Sequence, residues 1–138
     1  MIAPELEQLT RMFDQATAPT FFLFAIAAIV DRMNTRLAEV TSAMRGMVAE
    51  GKKDSPLHRL YQDRAKLLRR GIHDALIGAI LTVVLLVELF VAAYLHERHA
   101  YGAGILFLLS AFMLGAGLWR FAQEARLALR EPDVTGTA

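Results

Sequence analysis

Residues 75 to 95, ALIGAILTVVLLVELFVAAYL, form a run of 21 with a single charge, Glu88. As a helix it would rise about 32 Å, and the hydrocarbon layer of a bilayer is roughly 30 Å thick. A run of that length and polarity reads as a membrane-spanning helix. A charge inside it costs on the order of 3 kcal/mol on insertion scales, so Glu88 is expected to face protein or a wet cavity. The chain is 55% hydrophobic, and its apolar residues are clustered, as in membrane proteins. Its 138 residues allow one domain. Cysteine is absent, which removes disulfides and thiolate chemistry. The opening Met-Ile-Ala-Pro-Glu has no basic segment of the kind that begins a cleaved signal peptide.

The periodicity predicts an all-α, three-pass transmembrane bundle with an antiparallel helical hairpin between its first and second membrane helices. Residues 1–16 read as an amphipathic surface helix, with Ile2, Leu6, Leu9, Phe13 and Ala16 at helical spacing. Thr17-Ala-Pro-Thr20 is expected to punctuate the chain and restart a helix. The membrane domain then occupies 17–131. Its first apolar run, Thr20 to Val30, is short: counted from Ala16 it covers only about 22 Å, so it spans by local thinning or is re-entrant. Beyond it a heptad seam continues through Met33, Leu37, Val40 and Met44. After the turn Gly51 to Pro56, where Ser55 suits a helix cap, the seam returns through Tyr61, Ala65 and Leu68. The hairpin, residues 31–74, should project about 30 Å from the membrane. A third membrane helix runs from Ala103 to about Trp119, and residues 132–138 read as a disordered tail.

Charge sets the expected orientation. Ten of the fifteen Lys and Arg lie in residues 31–74, three lie from Arg120 onward, and the loop 96–102 holds only Arg98. The positive-inside rule places the hairpin and C-terminus in the cytoplasm and the 96–102 loop outside. A spanning first segment puts the N-terminus outside; a re-entrant one keeps it inside.

Three segments carry a family resemblance: DRMNTR (31–36), LLRRGIHDA (67–75) and FAQEARLALR (121–130). They resemble the bacterial membrane-protein family known as domain of unknown function 2721, over about residues 15–131. The resemblance implies a three-pass protein of the bacterial inner membrane. It implies no activity, cofactor or catalytic residue.

Several side chains invite a chemical reading. If the third helix starts level with the end of the second, Ser110 lies at the depth of Glu88. A Glu88–Ser110 hydrogen bond is the structural expectation, and a proton or cation site at a subunit interface is the functional one. Gly104, Ala111 and Gly115 suit close helix packing, within the chain or between copies. Glu124 should find a cation among Arg32, Arg69, Arg70 and Arg120, as a clamp joining three helices. His96 and His99, with Glu97 or a water completing the shell, are a weak zinc or copper candidate, since the set gives too few ligands in a short turn. His73 has no histidine partner in the other apolar segments, so a bis-histidine haem is not expected. The run Arg64, Lys66, Arg69 and Arg70 suits anionic lipid headgroups. Asp63 and Asp74 dilute it for nucleic acid, and no phosphate loop or Ser/His/Asp arrangement is visible.

The reading is a non-enzymatic scaffold or accessory subunit acting by helix–helix association with itself or another membrane protein. No cofactor, nucleic acid or small-molecule substrate is expected. The alternative is a small oligomeric cation or proton channel using Glu88.

Overall fold

The computed structural model of the chain describes residues 2–95 and 101–132. Three helices account for nearly all of them: α1 (Ile2–Ala49), α2 (Pro56–Tyr94) and α3 (Tyr101–Ala128). They contain 48, 39 and 28 residues, or about 72, 58 and 42 Å of helix. All three are long and apolar enough to cross a membrane. Helix α2 is the middle element: it packs along both neighbours, while α1 and α3 meet at few points.

The α1–α2 turn follows from its residues. Gly51 takes φ +74° and ends α1. Its N–H donates to Val48 O (3.1 Å), and that of Lys52 donates to Met47 O (2.8 Å), a Schellman closure that satisfies the last carbonyls. Ser55 then caps α2, its side chain accepting from His58 N at 3.2 Å, with Pro56 in the first turn.

Behind this turn the hairpin seam is buried. Met33, Val40, Ala65 and Leu68 are inaccessible or nearly so, and Leu37, Met44 and Tyr61 pack against them half-buried. Ile26, Ala75 and Leu114 continue the same core towards the other end of the bundle. Outward-facing residues of the apolar segments are themselves apolar: Phe21, Phe24, Ile80, Leu108 and Phe112 are all exposed. Such a surface suits lipid, not water.

The expected break at Thr17–Thr20 does not occur. Helix α1 runs unbroken through Pro19, which is buried. Proline removes one N–H and crowds the carbonyl a turn earlier. Here hydroxyls bond to neighbouring carbonyls: Thr17 Oγ1 donates to Phe13 O (2.8 Å) and Thr20 Oγ1 to Ala16 O (2.7 Å). Residues 2–16 of the expected surface helix are therefore the first part of α1, with Leu6, Leu9 and Phe13 exposed along it. The continuity also lengthens the first apolar segment. Met12 to Val30 now reads as one stretch of 19 residues, about 28 Å, with Asp14 its single charge.

The α2–α3 pair is held at backbone distance. A Cβ on Gly117 would lie 2.9 Å from Gly71 O, and one on Gly78 would lie 3.1 Å from Ser110 O. A Cβ at Gly117 would force a backbone shift and one at Gly78 would crowd its neighbour, so the glycines set how closely α3 lies along α2. Of the predicted tail, residues 133–138 lie outside the described residues.

Candidate functional site

Helix α3 leaves its apolar stretch at Trp119, and one turn beyond Arg120 it carries Glu124. That carboxylate is fully buried, at 0% exposure. Arg64 of α2 donates from Nε to Oε1 at 2.9 Å. Arg36 of α1 donates from Nη2 to Oε1 at 3.1 Å, and its Nε lies 3.0 Å from Oε2 as an ion pair. One carboxylate thus joins all three helices. Two aromatic rings line the cluster, with the Arg36 guanidinium 5.4 Å from the Phe121 centroid and that of Arg64 5.0 Å from Tyr61. Glu131 lies 3.5 Å from Arg64 Nη1 and accepts a hydrogen bond from the Tyr61 hydroxyl. Two arginines and two glutamates make the cluster neutral. Burial, reinforced by the hydrogen bond to Glu131, pushes the Tyr61 hydroxyl above its ordinary value of 10.0.

The expected partners of Glu124 are not the ones it has. Arg32, Arg69 and Arg70 are exposed and stand outside the cluster. Arg120 points to α2 instead, its Nε 2.9 Å from Oδ2 of the buried Asp74. The antiparallel register explains the difference. With Gly71 against Gly117, residue 124 lies level with Arg64, more than a turn beyond Arg69. Sequence reasoning missed Arg36 and Arg64. Each stands next to a seam residue, Leu37 and Ala65, which was the available signal.

Ser110 does not meet Glu88. It sits opposite Thr82, six residues or about 9 Å along α2 from Glu88. Ser110 Oγ donates to Gly78 O at 2.6 Å, Thr82 Oγ1 donates to the same carbonyl at 2.8 Å, and the two hydroxyls also touch. With one hydrogen on each hydroxyl, two of these three contacts can be hydrogen bonds at a time, and Thr82 and Ser110 are both fully buried. Glu88 is half-buried and lies over Gly102, where a Cβ would collide with its carboxyl. The expectation failed because α3 does not begin level with the end of α2. Its glycine contacts draw it along α2 by about two turns.

The small residues of α3 are divided. Gly117 makes the close approach to α2, with Gly71 and Gly78 on the other side. Gly104 and Gly115 have open space around them and are exposed, and Ala111 is half-buried. Gly104 and Gly115 make no close helix approach among the described residues. His96 and His99 lie outside the described residues. Among the described residues no group of three His, Cys, Asp or Glu is placed to hold a metal ion.

The family described as "Protein of unknown function (DUF2721)" matches the chain over residues 16–134. No curated protein and no solved structure matches it.

Proposed function

This chain belongs to the DUF2721 family of proteins of unknown function, and we propose that it is a non-enzymatic scaffold or accessory subunit of the bacterial inner membrane. In this reading it crosses three times, with the hairpin and C-terminus in the cytoplasm, and works by helix–helix association.

The observation that carries the reading is the Glu124 cluster. It ties α1, α2 and α3 together where the hairpin leaves the apolar segments, through contacts of 2.9 to 3.1 Å to one buried carboxylate. Its charges are spent on one another, which suits a joint more than a reactive centre. A hairpin fixed in this way is held in one direction relative to the membrane helices, as a docking platform requires. The exposed Gly104 and Gly115, with half-buried Ala111 between them, offer a second surface on α3, shallow enough for another helix to approach closely.

The test is the mass of the detergent-solubilised particle, with its polypeptides identified. The scaffold reading expects a multiple of the 15.3 kDa chain, or a stoichiometric complex with a second membrane protein. The channel alternative draws on Glu88, which has no ion-pair or hydrogen-bond partner among the described residues. Cation flux into liposomes compares wild type, Glu88→Gln and an empty control. Flux in the wild type that disappears in Glu88→Gln overturns the scaffold reading, as does a lone monomer with no companion polypeptide.

A further inference from the structure

Where α2 and α3 leave the apolar zone at the hairpin end, Arg69, Arg70 and His73 of α2 and Arg120 of α3 line an open cleft of about 340 Å³ with Asp74. Its charges are unbalanced. Asp74 is engaged by Arg120 at 2.9 Å, and its contact with His73 Nδ1 is longer, at 3.9 Å. Arg69 and Arg70 have no acidic partner among the described residues. Three guanidinium groups against one carboxylate leave a surplus of two positive charges before His73 is counted. The pairing with Asp74 also holds Arg120 in place, so one fork is oriented before any ligand arrives.

We propose that this cleft binds the phosphodiester of an anionic glycerophospholipid. The proposal rests on the membrane reading above and names the lipid chemistry that it implies. Two observations favour a lipid over free phosphate. On the α2 face that continues from His73, Leu76, Ile80 and Val84 follow at successive turns, and all three are exposed. Beside Arg120, Trp119 is exposed at 60%, and tryptophan at that position suits the headgroup level. A phosphate seated among the arginines therefore has an apolar track directly below it for its acyl chains. A zwitterionic headgroup brings its own cation and gains less from the surplus charge.

The experiment is native mass spectrometry of the full chain in detergent, titrated with phosphatidylglycerol, with phosphatidylcholine of the same acyl chains, and with inorganic phosphate. The cleft variant is Arg69→Gln with Arg70→Gln, both exposed. The control is Lys52→Gln with Lys53→Gln at the hairpin tip, which removes the same charge. Wild type should prefer phosphatidylglycerol. The cleft variant should lose about 25-fold in apparent affinity for it, from roughly fivefold per basic charge near a membrane surface. The control should be unchanged. Equal losses in both variants, or no preference over phosphatidylcholine, overturn the proposal. So does inorganic phosphate that binds wild type as well as the lipid does. A flotation assay with liposomes separates the two levels of failure. A chain that stays in the bilayer without headgroup preference defeats only the cleft, whereas one that leaves the bilayer defeats the membrane reading too.

Discussion

Replacing Glu124 with glutamine keeps the shape of the side chain and removes the charge that two arginines share. Arg64 is then left at 10% side-chain exposure with only the more distant Glu131, at 3.5 Å, as an anion. Arg36 is 33% exposed and can turn towards water, which softens its share. Removing one partner of a buried pair costs 3–5 kcal/mol, and the escape open to Arg36 places this site at the lower end, about 3 kcal/mol. For a chain of this size that corresponds to a fall of about 10 °C in Tm. The assay is thermal unfolding in detergent, followed by circular dichroism. A second arm adds Arg36→Met. Once Glu124 has lost its charge, removing Arg36 should cost at least 1 kcal/mol less than it does in the wild type. A shift below about 2 °C for Glu124→Gln, on the same scale, would refute the reasoning. Strict additivity of the two substitutions would refute it as well.

Gly117→Ala places a Cβ 2.9 Å from the Gly71 carbonyl and should destabilise by about 1–3 kcal/mol. Gly115→Ala meets open space and should be neutral or gain up to about 1 kcal/mol of helix propensity; the two Tm values in detergent check the contrast. Tyr61 holds its proton more tightly folded than unfolded. Its contribution to stability is therefore complete below pH 10.0, its ordinary value, and is lost as pH rises through the higher folded value. Tyr61→Phe should flatten that loss when Tm is measured across the alkaline range. Lys53→Cys, in a chain with no other cysteine, should react in intact cells only with membrane-permeant reagents. Labelling by an impermeant reagent would reverse the proposed orientation.

The hairpin was legible because its signal is local and repeated. Met33, Leu37, Val40 and Met44 recur at 4, 3 and 4, and the turn residues Gly51, Ser55 and Pro56 fix the antiparallel return. The α2–α3 register was not legible, because it depends on contacts between residues far apart in sequence. Gly71, Gly78 and Gly117 look like any glycines of a membrane helix until their backbones are seen to touch. The partner of Ser110 and the arginines of Glu124 both follow from that register, so one misplacement moved both. Pro19 misled for a different reason. Proline is a weak helix breaker when the residues around it keep helical bonds, and α1 runs through Pro19 with Thr17 and Thr20 bonding to Phe13 O and Ala16 O.

The same register changes what Glu88 means. Met12 and Gln15 of α1 share a crevice with Leu89 and Phe90, and Gly102 of α3 lies beneath the Glu88 carboxyl. Asp14, Glu88 and the start of α3 are therefore level. At the other end Met33 touches the position of a Cβ on Gly71, at 3.1 Å, and Arg120 lies 3.6 Å from it. This brings Asp31, Arg70 and Arg120 to a second common level. Along each helix the two levels are 17 or 18 residues apart: 14 to 31, 70 to 88, 102 to 120. At 1.5 Å per residue the layer between them is about 26 Å thick, close to the roughly 30 Å of a hydrocarbon core. In the membrane reading proposed above, a hydrocarbon layer between these levels puts Glu88 near one boundary and not in the middle. A charge at the boundary costs far less than one at the centre. It follows that Glu88→Gln should leave membrane insertion unchanged, as measured by the fraction of chain that resists alkaline extraction. A clear gain in that fraction would place Glu88 deep in hydrocarbon, and the two-level alignment would fail with it.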